Sequence, residues 1–142
     1  MTELGHGSFT RESDAENPDF EDEYTNIPPT SPCFTLHTPS LTATKWWIGA
    51  AAHTATHATV YARLVDGSGV DRGVHCFLVE LRDRETGKLH DGIVIGDCGP
   101  KLGREGIDNG FIQFHNHKIP LSALLCRHVC ISRDGVFGKA PH

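Results

Sequence analysis

Short runs of hydrophobic residues alternate with clusters of turn-forming residues along most of this chain. From residue 33 onward, β-branched and aromatic side chains recur in runs of six to eleven residues, separated by Gly, Asp, Asn and Pro. Such runs are typical of antiparallel strands joined by tight turns. The predicted strands are 33–38, 56–65, 73–81, 92–97, 109–119 and 126–132.

The pattern predicts an all-β fold class. No long apolar period of 3.6 residues occurs, and residues 121–128, which follow Pro120, are expected to form one short helical turn. Regularly spaced strands must close on themselves or pack as two sheets, because otherwise their edges stay exposed. We therefore expect a small barrel or a sandwich.

The first part of the chain has a different composition. Residues 12–23 hold seven acids in twelve positions, and residues 26–32 contain three prolines. Such a segment is typical of a solvated acidic loop, which we expect here in preference to an acidic tail that binds a partner. The predicted organisation is a glycine-containing loop at 1–11, an acidic and proline-rich linker or disordered insert at 12–32, and a β domain at 33–142.

Charge and hydropathy exclude two classes of partner. The formal net charge is −5, but residues 1–30 carry eight acids and one base, so the β domain is nearly neutral. Without a basic surface to neutralise phosphates, a nucleic-acid partner is not expected. Nor does the chain contain an apolar run of the length that a membrane span requires.

Two adjacent tryptophans precede a run of small residues. Neighbours on a strand point to opposite faces, so we expect one of Trp46 and Trp47 to enter the core while the other borders an exposed surface. Gly49 and Ala50–Ala52 remove side-chain bulk directly afterwards, which permits close approach of the backbone to something planar. The alternatives are a wall for a flat ligand and a buried tryptophan that anchors the domain.

His53 and His57 raise the alternative of a metal site. Four residues apart on a helix, two imidazoles can share a zinc ion. The neighbouring Thr56, Thr59 and Val60 favour a strand instead, where the same spacing separates the side chains by about 13 Å. No metal ligand is therefore assigned.

Five stretches of the chain combine into a distinctive pattern: TELGHGS at 2–8, HTPSLTATKWWIGAAAHTATHATVYARL at 37–64, GVHCFLVELRD at 73–83, IVIGDCGPKLGREGIDNGFIQFHNHKIP at 93–120 and SRDGVFGKAPH at 132–142. Together these stretches resemble the acyl-CoA oxidases. Their order and spacing are similar to those of the central domain of that family. The resemblance implies a small antiparallel β-barrel, preceded here by the acidic N-terminal loop.

The resemblance also implies an activity and a cofactor. Acyl-CoA oxidases are FAD flavoenzymes that oxidise fatty acyl-CoA to trans-2-enoyl-CoA and pass the electrons to O₂, which gives H₂O₂. By matching position, Thr2 would hydrogen-bond the flavin ring and Gly49 would contact it through the backbone. Trp47 would line the ring region, and Ser8 would lie near the acyl-CoA.

No catalytic residue is assigned in this chain. The family's base is a glutamate of a C-terminal helical domain that this sequence does not contain, and Glu3 belongs to the N-terminal loop motif. The implied partners are fatty acyl-CoA, FAD, and either the helical domains of an acyl-CoA oxidase or a second copy of the chain. The implied location is the peroxisome, although the chain has no targeting signal of its own and would be cytoplasmic if it stands alone. The alternative hypothesis is a non-catalytic β-barrel interaction module or a truncated remnant.

Overall fold

Short strands dominate the structure, which is a computed structural model that describes residues 7–10, 33–125, 127–132 and 136–139. Within these residues the only helical elements are two 3-10 turns, Leu41–Ala43 and Leu121–Ala123. The strands are β1 (Gly7–Thr10), β2 (Cys33–His37), β3 (Lys45–Gly49), β4 (His57–Val65), β5 (Asp71–Glu80), β6 (Ile93–Asp97), β7 (Asn109–Phe114), β8 (His117–Pro120), β9 (Val129–Ile131) and β10 (Phe137–Lys139). The predicted all-β class is confirmed.

Strand β4 illustrates how the hydrophobic pattern determines the strands. Val60, Ala62 and Leu64 are buried, while Tyr61 and Arg63, which alternate with them, are exposed. This period of two places one face against the core and the other toward solvent.

The predicted strands are confirmed, but one run divides and further strands occur. The run 109–119 divides into β7 and β8 at Asn116, whose φ of 52° lies in the left-handed region and turns the chain. Strands β1, β3 and β10 lie outside the predicted runs, and β1 falls within the predicted loop at 1–11. The helical turn expected after Pro120 is present as Leu121–Ala123. The predicted linker at 12–32 lies outside the described residues.

The described strands form three sheets. The largest has the order β5, β4, β1, β2, β8, the second has the order β3, β7, β6, and β9 pairs with β10. All pairings are antiparallel except that of β1 with β4. β1 therefore connects two antiparallel pairs at the centre of the largest sheet.

Among the described residues the predicted barrel is not closed by strand pairing, which corrects that part of the expectation. Closure requires a continuous hydrogen-bond ladder from sheet to sheet. The five-stranded and three-stranded sheets instead meet at Thr38, whose N–H donates to the Phe114 carbonyl at 2.7 Å. The return bond runs from the Phe114 N–H to the Thr38 hydroxyl oxygen at 2.9 Å, so a side chain replaces the backbone acceptor that a ladder would use.

One hydrophobic core joins the two larger sheets. Phe34 of β2 and Phe77 of β5 are fully buried and meet edge to face, with ring centroids 5.6 Å apart. Aromatic pairs favour this geometry because the positive ring edge meets the negative face. The rest of the core comprises Leu36, Ala51, Val60, Ala62, Leu64, Val79, Leu81, Ile93, Ile112, Phe114, Ile119, Ala123 and Leu124.

A buried carboxylate organises the turn between β4 and β5. Asp66 accepts hydrogen bonds from the Ser68 hydroxyl at 2.6 Å, from the N–H groups of Ser68 and Val70, and from Arg72. The hydrogen bond from the Ser68 side chain, followed by those from Arg72 and the two backbone groups, holds the pKa of Asp66 well below its usual range against the opposing effect of desolvation. The left-handed residue of this turn is Gly69, with φ 79°.

Asp66 is expected to make the stability of the domain sensitive to acid. A depressed folded-state pKa stabilises the fold above the ordinary aspartate value of about 3.9, and that contribution is lost as the pH falls below it. Urea unfolding of Asp66→Asn should give a lower midpoint than wild type at pH 6, and the gap should narrow toward pH 3. Glu85→Gln, on the exposed 84–89 turn, controls for the loss of one negative charge. A difference in urea midpoint between the two proteins that stays constant with pH would contradict the lowered pKa assigned to Asp66.

No helix in the part of the chain that the structure describes is long and apolar enough to cross a membrane.

Candidate functional site

The two tryptophans lie on β3, whose pairing with β7 is irregular. The register shifts between Lys45 and Ile48, and Trp47 in between has a φ of 63°, in the left-handed region. A bulge of this kind interrupts the alternation of side chains along a strand. Trp46 and Trp47 are consequently 52% and 47% exposed, and the expectation that one of them enters the core is wrong.

Trp46 stacks on a neighbouring aromatic ring. Its indole lies 5.9 Å from the Phe111 ring, with an angle of 10° between the planes. Phe111 lies across the β6–β7 pair from Gly96, where a Cβ atom would approach the phenyl ring to 2.5 Å. The glycine therefore makes room for the ring, and the pair forms a flat aromatic surface on the three-stranded sheet.

Trp47 is held by a buried amide. With the Asn109 side chain oriented so that both of its groups are satisfied, its oxygen accepts a hydrogen bond from the Trp47 indole N–H at 3.3 Å. Its nitrogen then donates to the Asp108 carbonyl at 3.1 Å. Asn109 is only 4% exposed, so a fixed residue of β7 orients an indole that faces solvent.

Gly49 leaves open space at the end of β3. A Cβ atom placed on it would meet no heavy atom within 4 Å, so the surface beside Trp47 is accessible at this point. Ala51 is an exception to the expectation for the small residues, because it is fully buried in the core. The exposed residues here are Trp47, Gly49 and Ala50, which we call the Trp47 surface. Ala51 does not belong to it.

The loop 50–55 after β3 is bonded to a carboxylate of the segment before β7. Asp108 accepts hydrogen bonds from the N–H groups of Ala52, His53 and Thr54 at 3.0–3.2 Å and from the Thr54 hydroxyl at 2.9 Å. Desolvation raises the pKa of Asp108, but these bonds together outweigh it and lower the pKa below its ordinary value. Asp108 is thus an anion that binds the N–H side of the loop.

A buried guanidinium binds the carbonyl side of the same loop. Arg82, 8% exposed, donates to the carbonyl oxygens of Ala51 at 2.9 Å, Ala52 at 2.8 Å and Ala55 at 2.7 Å. Neither Arg82 nor Asp108 is among the residues predicted for the site. Both belong to stretches that carry the family resemblance, yet their bonds go to backbone groups far away in sequence, which no side-chain pattern reveals.

The histidines of the predicted metal alternative do not share a site. His53 lies 3.3 Å from the Asp97 carboxylate, whereas His57 begins β4 and bonds Thr56. Within the described part of the chain, no group of three or more His, Cys, Asp or Glu side chains could hold a metal ion.

A separate cavity of about 710 Å³ is lined by several histidines. Its lining includes His57, His90, His115 and His117, but not the Trp47 surface. Burial lowers the pKa of His117, and His90 adds to the effect, whereas a hydrogen bond with the Asp91 carbonyl opposes it. The neutral form of His117 is therefore favoured in the folded protein.

The four residues predicted for cofactor and substrate are only partly brought together. Trp47 and Gly49 lie on β3, at the surface described above. Ser8 is in β1, where its backbone pairs with His37 and Arg63 in the five-stranded sheet. Thr2 lies outside the described residues.

These features define an all-β domain with exposed tryptophans on β3, followed by a loop, 50–55, whose backbone is bonded on both its N–H and its carbonyl side. A sequence profile described as "Acyl-CoA dehydrogenase, middle domain" matches residues 1–117. The chain belongs to this family, and the relatives that it matches are acyl-CoA oxidases.

Acyl-CoA oxidases of known sequence and of known structure are similar to this chain. The chain is 53% identical over 127 residues to an acyl-coenzyme A oxidase of Eremothecium gossypii, covering 89% of this chain and 16% of that protein. The crystal structure of acyl-CoA oxidase 3 from Yarrowia lipolytica superposes with a TM-score of 0.78 and 39% identity, over 99% of this chain and 19% of that one. Acyl-CoA oxidase-1 of Caenorhabditis elegans, complexed with FAD and ATP, gives a TM-score of 0.71 and 44% identity, over 78% of this chain and 16% of that one. The chain thus spans less than a fifth of the length of these relatives.

Proposed function

We propose that this chain supplies the flavin and acyl-CoA wall of an acyl-CoA oxidase, the class of enzyme that converts fatty acyl-CoA and O₂ to trans-2-enoyl-CoA and H₂O₂. The observation that carries the proposal is the surface of Trp47, Gly49 and Ala50, in a chain of this family. The C. elegans relative complexed with FAD supports the choice of cofactor. The setting proposed is peroxisomal fatty-acid β-oxidation.

The residues present fit a planar cofactor. An exposed indole of fixed orientation can line a flat ring, and the open space at Gly49 permits contact with the backbone itself. The N–H groups of residues 50–55 are already bonded within the protein, so recognition at this loop would rely on shape and apolar contact. The flavin, when bound, would supply the redox chemistry.

In the proposed mechanism, this domain binds and orients the flavin and the acyl-CoA and does not itself transfer protons. Trp47 would hold the ring plane, Gly49 would set its distance from β3, and Thr2 and Ser8 would contact ring and acyl-CoA as the resemblance implies. The base that removes the substrate proton must come within hydrogen-bond reach of that proton. We assign it to a glutamate of a C-terminal helical domain, and we expect this chain alone to be inactive.

The first test is retention of flavin by the purified chain. After incubation with FAD and desalting, wild type should keep the visible flavin absorption, while Trp47→Ala and Gly49→Val should lose most of it, with the dissociation constant rising at least tenfold. Trp46→Ala is the matched control, because it removes a neighbouring indole of similar exposure that stacks on Phe111. Equal losses in Trp46→Ala and Trp47→Ala would contradict the assignment of Trp47, and a wild type without flavin would contradict binding by this domain alone.

A second candidate function is a non-catalytic interaction module. The outer face of β4 and β5 exposes Tyr61, Val74 and Leu78 at 64%, 50% and 47%, and apolar side chains grouped in this way favour association. The partner would be the helical domains of an acyl-CoA oxidase or a second copy of the chain. Size-exclusion chromatography distinguishes the two candidate functions. A flavin-free dimer or larger assembly would favour the interaction module, whereas a flavin-bearing monomer would oppose it.

A further inference from the structure

We infer that Arg82 and Asp108 are positioning residues that hold the loop 50–55 in the conformation required for flavin binding before the cofactor arrives. The inference rests on the proposed function, and it concerns two residues that make no predicted contact with the flavin. They act from opposite sides of the loop, one on its carbonyl groups and the other on its N–H groups.

The loop needs such support because it leaves β3 in an unfavourable conformation. Trp47 and Ala50 have φ angles of 63° and 65°, a region that residues with a Cβ atom seldom occupy. Conformations of this kind persist only when the surroundings over-determine them. The Ala50 N–H donates to the Asp108 carbonyl at 2.8 Å, and the Ala50 carbonyl accepts from the N–H groups of Thr54 and Ala55.

Both charges are bound by several loop groups at once. Arg82 donates to three carbonyls, and the Asp108 carboxylate accepts four hydrogen bonds from three consecutive residues. Bonds to ionised groups are the stronger class, and the planar guanidinium fixes the directions of its bonds. A lysine ammonium lacks the planar, branched arrangement of N–H donors of a guanidinium. Arg82→Lys therefore keeps the positive charge but removes the directed hydrogen bonds to the three loop carbonyls.

The expected effect on the cofactor follows from preorganisation. When only a fraction of the molecules has the competent loop, the apparent dissociation constant rises by the inverse of that fraction. If the ordered loop falls to about a tenth of the population, FAD affinity falls about tenfold. Because both residues stabilise one loop equilibrium from separate sides, the double variant should weaken FAD binding by at least the product of the two single factors.

The experiment compares Arg82→Lys, Asp108→Asn and the double variant with Arg63→Lys in the full chain. Arg63→Lys is the matched control, because it alters an exposed ion pair with Asp71 on the outer side of β4 and β5. Two quantities are measured: hydrogen exchange at the amides of Ala52, His53 and Thr54, and the FAD dissociation constant by quenching of flavin fluorescence. We expect faster exchange at these amides, little change in β5, and about tenfold weaker FAD binding, with neither effect in Arg63→Lys.

The outcomes separate the inference from the proposed function. Unchanged hydrogen exchange in the variants would overturn the claim that Arg82 and Asp108 stabilise the loop. Faster exchange with unchanged FAD affinity would overturn their positioning role for the flavin, while the proposed function would stand. A wild type that binds no FAD overturns binding by this chain and, with it, the role of both residues toward flavin. Should a charged-residue variant fail to fold, Thr54→Val removes one bond to Asp108 and is expected to weaken FAD binding by a smaller factor.

Discussion

Gly110→Ala is expected to destabilise the domain by about 3 kcal/mol or more, at the upper end of what overpacking costs in general. A Cβ atom on Gly110 would lie 2.7 Å from the Ala52 nitrogen and 2.9 Å from the Gly96 oxygen. Both neighbours are backbone atoms of fixed elements, so no side chain can rotate to relieve the clash. The substitution must separate β7 from β6 or move the loop 50–55.

Urea unfolding followed by tryptophan fluorescence measures this loss, since Trp46 and Trp47 report on the same region. Gly138→Ala is the matched control, because Gly138 also lies in a strand but its Cβ position meets nothing within 4 Å. A midpoint for Gly110→Ala equal to that of Gly138→Ala would show that β7 and the loop are not packed as described. We also expect Gly110→Ala to weaken FAD binding, because it displaces Ala52.

Phe77→Ala is expected to cost about 3–5 kcal/mol, the usual range for deleting a buried phenyl ring. Phe77 is fully buried on β5 and meets Phe34 edge to face, so its removal leaves a cavity between rigid strands and abolishes this ring contact. Small domains have a total stability of about 5–15 kcal/mol, so this single change removes a large share of it.

The control for Phe77→Ala is the next residue on the same strand. Leu78 points to the outer face and is 47% exposed, so Leu78→Ala should cost about 1 kcal/mol or less. Both unfolding curves should keep the same slope with urea if the folded and unfolded states are otherwise unchanged. Equal costs for the two variants would contradict the burial of Phe77 and the exposure of Leu78 described for β5.

The fold could be predicted from sequence wherever a single strand carries its own signal. The alternation of Val60, Ala62 and Leu64 with polar and exposed neighbours identifies β4 without reference to the rest of the chain. Pairing between strands carries no such local signal. The bonds between Thr38 and Phe114, where the two larger sheets meet without a continuous ladder, depend on residues that are distant in sequence.

The site was predictable to a similar degree. The residues TKWWIGAAAH identify Trp47 and Gly49 through the family resemblance, and their roles toward flavin stay a prediction. The bulge that exposes both tryptophans arises from the register of β3 against β7, and strand alternation alone predicted the opposite for one of them. Arg82 and Asp108 could not be found, because their partners are backbone atoms that every residue possesses.

The position of β1 has a consequence for the order of events during folding. Gly7–Thr10 precede every other described strand, yet they pair in parallel with residues 62–65 of β4. A parallel pair cannot form as a local hairpin, and distant contacts carry a loop-closure cost that slows their formation. The β4–β5 hairpin can assemble from neighbouring residues, whereas the sheet order requires β1 to dock between β4 and β2. During synthesis the edge of this segment that faces β4 therefore has no partner strand until residues 62–65 have been made, although its other edge can already pair with β2.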